Sequence, residues 1–306
     1  MSNQPPEKLE GLIAASFTPY RDSRIHPGII PAYAAALRSQ GVQGIFVNGT
    51  TGESLSLSTE ERMELAQTWL GSAPEGFPVL VHVGHNSLPE ACTLAAHAAQ
   101  HGARAVSAMA PTFFQPGLSA LVDYLAEIAA AAPAVPFYYY HMPSMTGARF
   151  LMTDFLRLAG ERIPNLAGIK YTWEDLMDYT LAAEIDGGRY DIVFGRDEIL
   201  LCGLALGARA AIGSTYNVAA PLYRAVWRAF DAGLFDEARE LQVRAMTMID
   251  ACRRSGPSDL PAIRALASRR LGVELGPPRA PLVAAPAEAV DPILRSVKTM
   301  LAALPT

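Results

Sequence analysis

The sequence predicts a closed (β/α)8 barrel of the TIM type with a helical extension at its C-terminal end. Three observations lead there. Short apolar strands alternate with alanine-rich amphipathic helices eight times in succession, that alternation stops near residue 232, and the remainder is patterned as helix alone. The length agrees, because 306 residues are long for two small domains and suit one barrel with an appendage. The expected boundaries are 9–232 for the barrel and 233–306 for an extension packed on it.

Each element has its local reason. Residues 11–17 read as the first strand and 27–40 as the first helix, with Pro27 placed where a missing N–H does no harm. Residues 44–47 are the second strand, and Ser58-Thr59-Glu60-Glu61 is a capping box opening a helix that stops before Pro74. The next units pair 79–83 with 89–101, 105–110 with 118–132, and 135–140 with 152–159. The last three pair 166–170 with 174–185, 192–194 with 197–206, and 210–212 with 221–232. Beyond them, 235–254, 261–271 and 287–304 are helical, and 276–286 is a proline-rich connection.

Composition narrows the function. Half of the residues are hydrophobic, so a large core is available, and a net charge of -5 without a basic run argues against nucleic acid and for a small-molecule partner. Cys92, Cys202 and Cys252 are odd in number, far apart and set in apolar helical contexts, which reads as reduced core thiols in a cytoplasmic protein. Pro5, Pro6 and Glu7 stand where a signal peptide needs a basic patch and an apolar stretch. The longest apolar run, 199–212, is broken by Gly203, Gly207 and Arg209, so no membrane partner is expected. His82 and His85 have neither strand-face nor helix-face spacing, so no metal site is expected; no dinucleotide fingerprint or P-loop is present, so no nucleotide cofactor is implied.

In a barrel the chemistry belongs at the C-terminal ends of the strands. Strand six delivers Lys170 after the apolar run from Leu166 to Ile169, followed by Thr172. An amine there is either an ordinary strand-end lysine in water or a desolvated nucleophile whose lowered pKa frees it to attack a carbonyl carbon. After strand two, Asn48-Gly49-Thr50-Thr51-Gly52-Glu53 is either a tight turn or a set of N–H and O–H donors for a carboxylate. Strand five brings Tyr140, a phenol able to relay a proton beside a cationic imine. Strand seven brings Gly195-Arg196-Asp197-Glu198 and strand eight Gly213-Ser214-Thr215-Tyr216-Asn217. Asp197 and Glu198 suit a polyhydroxy substrate, and equally suit a helix N-terminus.

These motifs, in this order, resemble the pyruvate-dependent class I aldolases typified by N-acetylneuraminate lyase and dihydrodipicolinate synthase. The resemblance rests on Gly49-Thr50-Thr51-Gly52-Glu53, Tyr140 followed by Pro143, Gly168-Ile169-Lys170, and residues 213–217, and it spans the barrel and much of the tail. It implies Lys170 as the Schiff-base lysine, Tyr140 as the proton-relaying phenol, Thr50 completing the relay, and Thr51 with Gly52 cradling the pyruvyl carboxylate. Dihydrodipicolinate synthases place an arginine where this chain has Met145, which disfavours a second acidic substrate. The stretch around Gly195, Asp197 and Glu198, joined by Thr172 and Ser214, is similar to the lyases' sugar-binding segment. The resemblance therefore implies an aldolase cleaving a sialic acid to pyruvate and an amino sugar, needing no cofactor because the protonated imine supplies the electrophile, and assembled as a homotetramer. Another pyruvate-dependent aldolase or dehydratase acting on a different aldehyde is the alternative, and a non-catalytic sugar-acid-binding protein a weaker one. Two departures bear on the choice: Phe113-Phe114 replaces a tyrosine pair found in many relatives, and the bulky Trp173 follows Thr172.

Overall fold

In a computed structural model, which describes residues 7–304, eight parallel strands close into a barrel. The strands are β1 (Gly11–Ala15), β2 (Gly44–Val47), β3 (Val79–His82), β4 (Ala105–Met109), β5 (Phe137–His141), β6 (Leu166–Tyr171), β7 (Asp191–Phe194) and β8 (Ala210–Gly213). Each pairs with its sequence neighbours, and β1 closes the ring by pairing with both β8 and β2. Outside lie α1 (Ile30–Ser39), α2 (Thr59–Ser72), α3 (Leu88–Gln100), α4 (Leu118–Ala130), α5 (Met152–Arg162), α6 (Leu176–Glu184), α7 (Leu200–Ala205) and α8 (Tyr216–Asp231). The capping box at Ser58 forms as expected, with Ser58 Oγ accepting from the Glu61 N–H and Glu61 Oε2 accepting from the Ser58 N–H.

The two-residue period of the strands divides the core into a barrel interior and a shell under the helices. Ile13, Phe46, Leu80, Tyr140, Val193 and Ile212 fill the interior. Val81, Val106, Tyr139, Ile169 and Phe194 face the helices. The consecutive tyrosines of β5 therefore have different surroundings: Tyr138 and Tyr140 point inward, and Tyr139 stacks outward on Phe155.

One irregularity sets the register of the site. Phe137 lies opposite Leu166 but Tyr138 lies opposite Gly168, so Ala167 is an extra residue in β6, and Lys170 comes to stand beside Tyr140. Gly168 tolerates this because it has no side chain; a Cβ there would collide with the Asp191 carbonyl oxygen on β7.

Some expectations need correction. The eighth helix begins at Tyr216 rather than Pro221, because a break at Ala219 (φ -134°, ψ 32°) lets the chain carry Pro221 inside it. The seventh opens as a 3-10 turn, Asp197–Ile199, before α7. A small antiparallel hairpin, Tyr20–Arg21 with Arg24–Ile25, and a short helix, Pro143–Thr146, were not anticipated. Among the thiols, Cys252 is buried, Cys92 is half-buried and Cys202 is exposed on the outer face of α7, so Cys202 is not a core residue.

Three further helices follow: α9 (Phe235–Arg253), α10 (Leu260–Leu271) and α11 (Ala287–Ala302). α9 and α10 both pack on α8, α10 reaches α1, and α11 covers α8, α9 and α10. Among the described residues no helix is long and apolar enough to cross a membrane.

Candidate active site

Lys170 stands near the C-terminal end of β6 with its side chain inside the barrel and is 4% exposed. Its Nζ lies 3.7 Å from the centroid of the Tyr140 ring and 4.2 Å from that of Phe46, so the amine rests against two aromatic faces. Burial pushes its pKa below the ordinary lysine value; the Tyr140 phenol and the Asp197 carboxylate oppose that shift without cancelling it. The result is a desolvated amine at the mouth of the barrel whose charged form is disfavoured. The Tyr140 hydroxyl sits 3.3 Å from Thr50 Oγ1 and donates to Met142 Sδ at 3.1 Å. Lys170, Tyr140 and Thr50, named from three separate strands, are thus one cluster.

The loop after β2 is shaped by its backbone. Asn48 and Glu53 both adopt left-handed conformations, with φ of 58° and 56°. The turn is closed by Glu53 N–H donating to the Thr50 carbonyl at 3.0 Å and by Thr18 Oγ1 donating to the Gly52 carbonyl at 2.6 Å. Thr51 and Gly52 are buried, and among the described residues their N–H groups have no protein acceptor. Two free backbone donors side by side suit a carboxylate. A Cβ on Gly52 would press on the Ser16 carbonyl and the Asn48 backbone at 3.2–3.3 Å.

Glu53, the last residue of that motif, turns away from the barrel mouth. Its Oε1 accepts from Arg264 of α10 at 3.1 Å and its Oε2 from the Arg279 backbone N–H at 2.9 Å. Arg264 also donates to the carbonyls of Thr18, Leu275 and Gly276. The tail thereby clamps the β2 loop.

The sugar-side candidates divide. Thr172 Oγ1 is buried and has no partner among the described residues, and Gly195 packs so closely that a Cβ would strike that oxygen. Asp197 Oδ2 accepts from the Thr215 N–H at 2.9 Å and from Thr215 Oγ1 at 2.5 Å, which ties the β7 and β8 loops together. Glu198 Oε1 accepts from Arg253 of α9 at 2.6 Å and lies 3.5 Å from Arg196. Burial raises its pKa, the neighbouring Asp197 adds to the rise, and the two arginines oppose it. Gln242 of α9 donates to the backbone carbonyls of Asp197 and Glu198, so this loop too is braced by the tail. The Ser214 carbonyl accepts from Asn217, whose Nδ2 also donates to the Ala15 carbonyl.

The two departures take definite places. Phe113 and Phe114 are 89% and 71% exposed, with Phe113 at φ 73°. Trp173 is half-buried beneath the Arg149 guanidinium, 5.5 Å from its ring. Sequence reasoning missed His82 and Arg62, both buried. It weighed His82 as a metal ligand, whereas its ring stands edge-on to Tyr140 at 5.8 Å. The available signal was position: His82 closes β3 as Lys170 nears the end of β6. Cavities of about 450 and about 1210 Å³ lined by Arg209 and Arg224 open at the opposite, N-terminal mouth and contain none of these residues.

A model of the dihydrodipicolinate synthetase family matches residues 8–300. The chain belongs to that family. The N-acetylneuraminate lyase of Xenopus tropicalis is 43% identical over 280 residues, covering 90% of this chain and 91% of its own. The solved N-acetylneuraminate lyase of Proteus mirabilis superposes with a TM-score of 0.91 at 36% identity, over 96% of this chain and 99% of its own. A structure described as a catalytic lysine mutant of Ruminococcus gnavus sialic acid aldolase superposes with a TM-score of 0.92 at 27% identity, over 97% of this chain and 98% of its own.

Proposed function

We propose that this chain is a Schiff-base carbon–carbon lyase that reversibly cleaves N-acetylneuraminate to N-acetylmannosamine and pyruvate, with Lys170 as the nucleophile. The observation that carries the reading is the desolvated Lys170 amine lying against the Tyr140 ring, in a chain 43% identical to an N-acetylneuraminate lyase.

By this reading Lys170 attacks the keto carbon of the open-chain sugar acid, water leaves, and a protonated imine forms as the electron sink. Thr51 and Gly52 hold the adjoining carboxylate through their free N–H groups. Tyr140, beside Thr50, takes the proton of the hydroxyl β to the imine. The carbon–carbon bond then breaks, its electron pair enters the imine to give an enamine, and the aldehyde departs. The enamine carbon recovers the proton, and hydrolysis frees pyruvate and Lys170. Thr172, Gly195, Asp197, Glu198 and Ser214 line the sugar side in this scheme. Asp197 and Glu198 keep one carboxylate oxygen each for hydroxyls while Thr215 and Arg253 hold the other.

Borohydride reduction in the presence of pyruvate tests the nucleophile. The expected product is a pyruvyl-sized adduct on Lys170; an unmodified Lys170 overturns the scheme. Release of pyruvate from a panel of keto sugar acids tests the substrate. A second reading, the same chemistry on a different aldehyde, draws support from Trp173 and its Arg149 partner. It predicts trapping at Lys170 without release of N-acetylmannosamine.

The assembly in this reading is a cytoplasmic homotetramer. Phe113, Phe114, Met145, Leu151, Met177 and Leu181 are exposed apolar residues of the β4 to β6 side of the barrel, a face suited to a second copy. Light scattering on the purified protein checks it, and a monomer at micromolar concentration refutes it.

A further inference from the structure

The scheme above leaves unused a titratable group that shares the wall behind Lys170. His82 is 2% exposed and forms a trio of rings with Phe46 and Tyr140, with centroids 5.6, 5.8 and 6.2 Å apart, and the Lys170 amine rests on two of the three.

Its hydrogen bonds fix its tautomer. His82 Nδ1 lies 3.0 Å from the Asn48 carbonyl oxygen and 3.4 Å from Arg62 Nη2. Both cannot be hydrogen bonds, since the carbonyl needs a proton on Nδ1 and the guanidinium needs a bare nitrogen. The carbonyl is nearer, and Arg62 already donates to the His82 carbonyl at 2.8 Å and the Gly84 carbonyl at 2.9 Å. Nδ1 therefore carries the proton and donates to Asn48. Nε2 holds a lone pair, buried and without a partner among the described residues. The titratable groups facing the ring are Arg62 from α2, Lys170 from β6 and Tyr140 from β5. Burial, then Arg62 and Lys170, hold the imidazole neutral well below the ordinary histidine range.

Asn48 opens the donor loop. Its left-handed backbone starts the turn that presents Thr51 and Gly52, and its Nδ2 donates to the Arg62 carbonyl at 2.8 Å. A closed circuit of Arg62, His82 and Asn48 thus joins the carboxylate loop to the wall behind the amine.

We propose that His82 is a positioning residue for the reaction: as the neutral Nδ1–H tautomer it holds the carboxylate loop through Asn48 and, with its ring edge, sets Tyr140 against the Lys170 amine. The proposal rests on the reading of Lys170 as nucleophile.

Two substitutions separate the two jobs. In His82→Asn the amide nitrogen falls where Nδ1 was and keeps the donor to Asn48 while the ring is lost; in His82→Phe the ring stays and the donor is lost. Competent sites are counted by borohydride trapping with pyruvate, and steady-state constants for N-acetylneuraminate are expressed per trapped site. His82→Phe is expected to raise KM about 10-fold with kcat changed less than about 3-fold, and His82→Asn to lower kcat about 10-fold with KM changed less than about 3-fold. Both variants lying within about 2-fold of the parent, or losing trapped sites with unchanged constants per site, overturns the proposal and leaves a packing role. Nitrogen NMR of histidine in the unaltered protein is a second test, independent of variant folding. A protonated Nδ1 with bare Nε2 across neutral pH supports the assignment, and an Nε2–H tautomer or a ring titrating near neutrality overturns it. Absence of trapping in the parent protein removes Lys170 as nucleophile, while the tautomer measurement still judges His82.

Discussion

Tyr140 and Lys170 stand opposite one another across the β5–β6 ladder, with Nζ 3.7 Å from the phenol's ring centroid, and the Tyr140 hydroxyl reaches Thr50 at 3.3 Å and Met142 Sδ at 3.1 Å. The ring shields the amine from water, and in the proposed scheme the hydroxyl exchanges a proton with substrate. The two ends of one side chain are therefore separable by mutation.

Tyr140→Phe keeps the ring and removes the oxygen. Turnover is expected to fall about 10²–10⁴-fold, the usual worth of a positioned acid–base group, while pyruvate is still trapped on Lys170. Thr50→Val, which removes the hydroxyl's neighbour, is expected to cost less. Pre-steady-state trapping beside steady-state cleavage checks both; equal loss of trapping and turnover in Tyr140→Phe argues that the oxygen orients the ring instead of moving a proton.

The lowered Lys170 pKa has consequences for rate and for stability. Imine formation needs the free amine, so trapping is lost as pH falls through the folded-state pKa, and that acid limb lies below the ordinary lysine value of 10.5. In stability terms the unfolded chain binds the proton more tightly, so burying this lysine costs stability below its folded pKa and the cost disappears as pH rises toward 10.5. Lys170→Met is thus expected to be inactive yet more stable at neutral pH by about 1 kcal/mol, the usual size of a gain from relieving a functional site. That advantage shrinks on titration toward alkaline pH. Urea denaturation at two pH values measures it.

How much of this was legible in the sequence follows from which signals are local. Apolar alternation and the capping box at Ser58 are written within a few neighbouring residues, so the barrel and its strand ends could be read directly. Lys170 and Tyr140 could be named because the fold rule assigns chemistry to strand ends, whereas Thr50 entered as a relay residue only through the family resemblance. Other features depend on residues distant in sequence. Glu53 looked like part of the donor loop, but its carboxylate belongs to Arg264, 211 positions away. Asp197 and Glu198 read either as acceptors for a polyhydroxy substrate or as acids at a helix N-terminus, and their partners Thr215 and Arg253 lie on other elements. His82 was invisible as a site residue because its role depends on the Arg62 and Asn48 groups that the β2 unit folds against it.

The Glu53–Arg264 pair is 4% and 2% exposed at its side chains, which makes it vulnerable to the loss of one partner. Arg264→Met strands a buried carboxylate and is expected to destabilise the fold by about 3–5 kcal/mol. Glu53→Gln should cost less, since Arg264 keeps three backbone carbonyls and the amide still accepts a bond. In both variants the brace on the donor loop is weakened, more in Arg264→Met than in Glu53→Gln, so KM for pyruvate in the synthetic direction should rise in that order. Chemical denaturation and synthesis assays test the pair together, and a destabilised Arg264→Met with unaltered KM separates fold from loop.

Arg253 offers the converse test on the opposite side of the mouth. It reaches Glu198 from α9 at 2.6 Å, whereas the carboxylate loop takes its support from α10. Removing the guanidinium removes an opposing charge, so the Glu198 pKa, already raised by burial and by Asp197, rises further, and the carboxylate becomes easier to protonate. Gln242 continues to hold the backbone of that loop, so the fold should survive. Arg253→Met is therefore expected to raise KM for N-acetylneuraminate about 3–10-fold, most strongly at acid pH, while pyruvate trapping on Lys170 keeps its parental rate. If trapping and sugar KM change together, the β7 loop does not act on the sugar alone, and the division of the mouth into a keto-acid side and a sugar side fails.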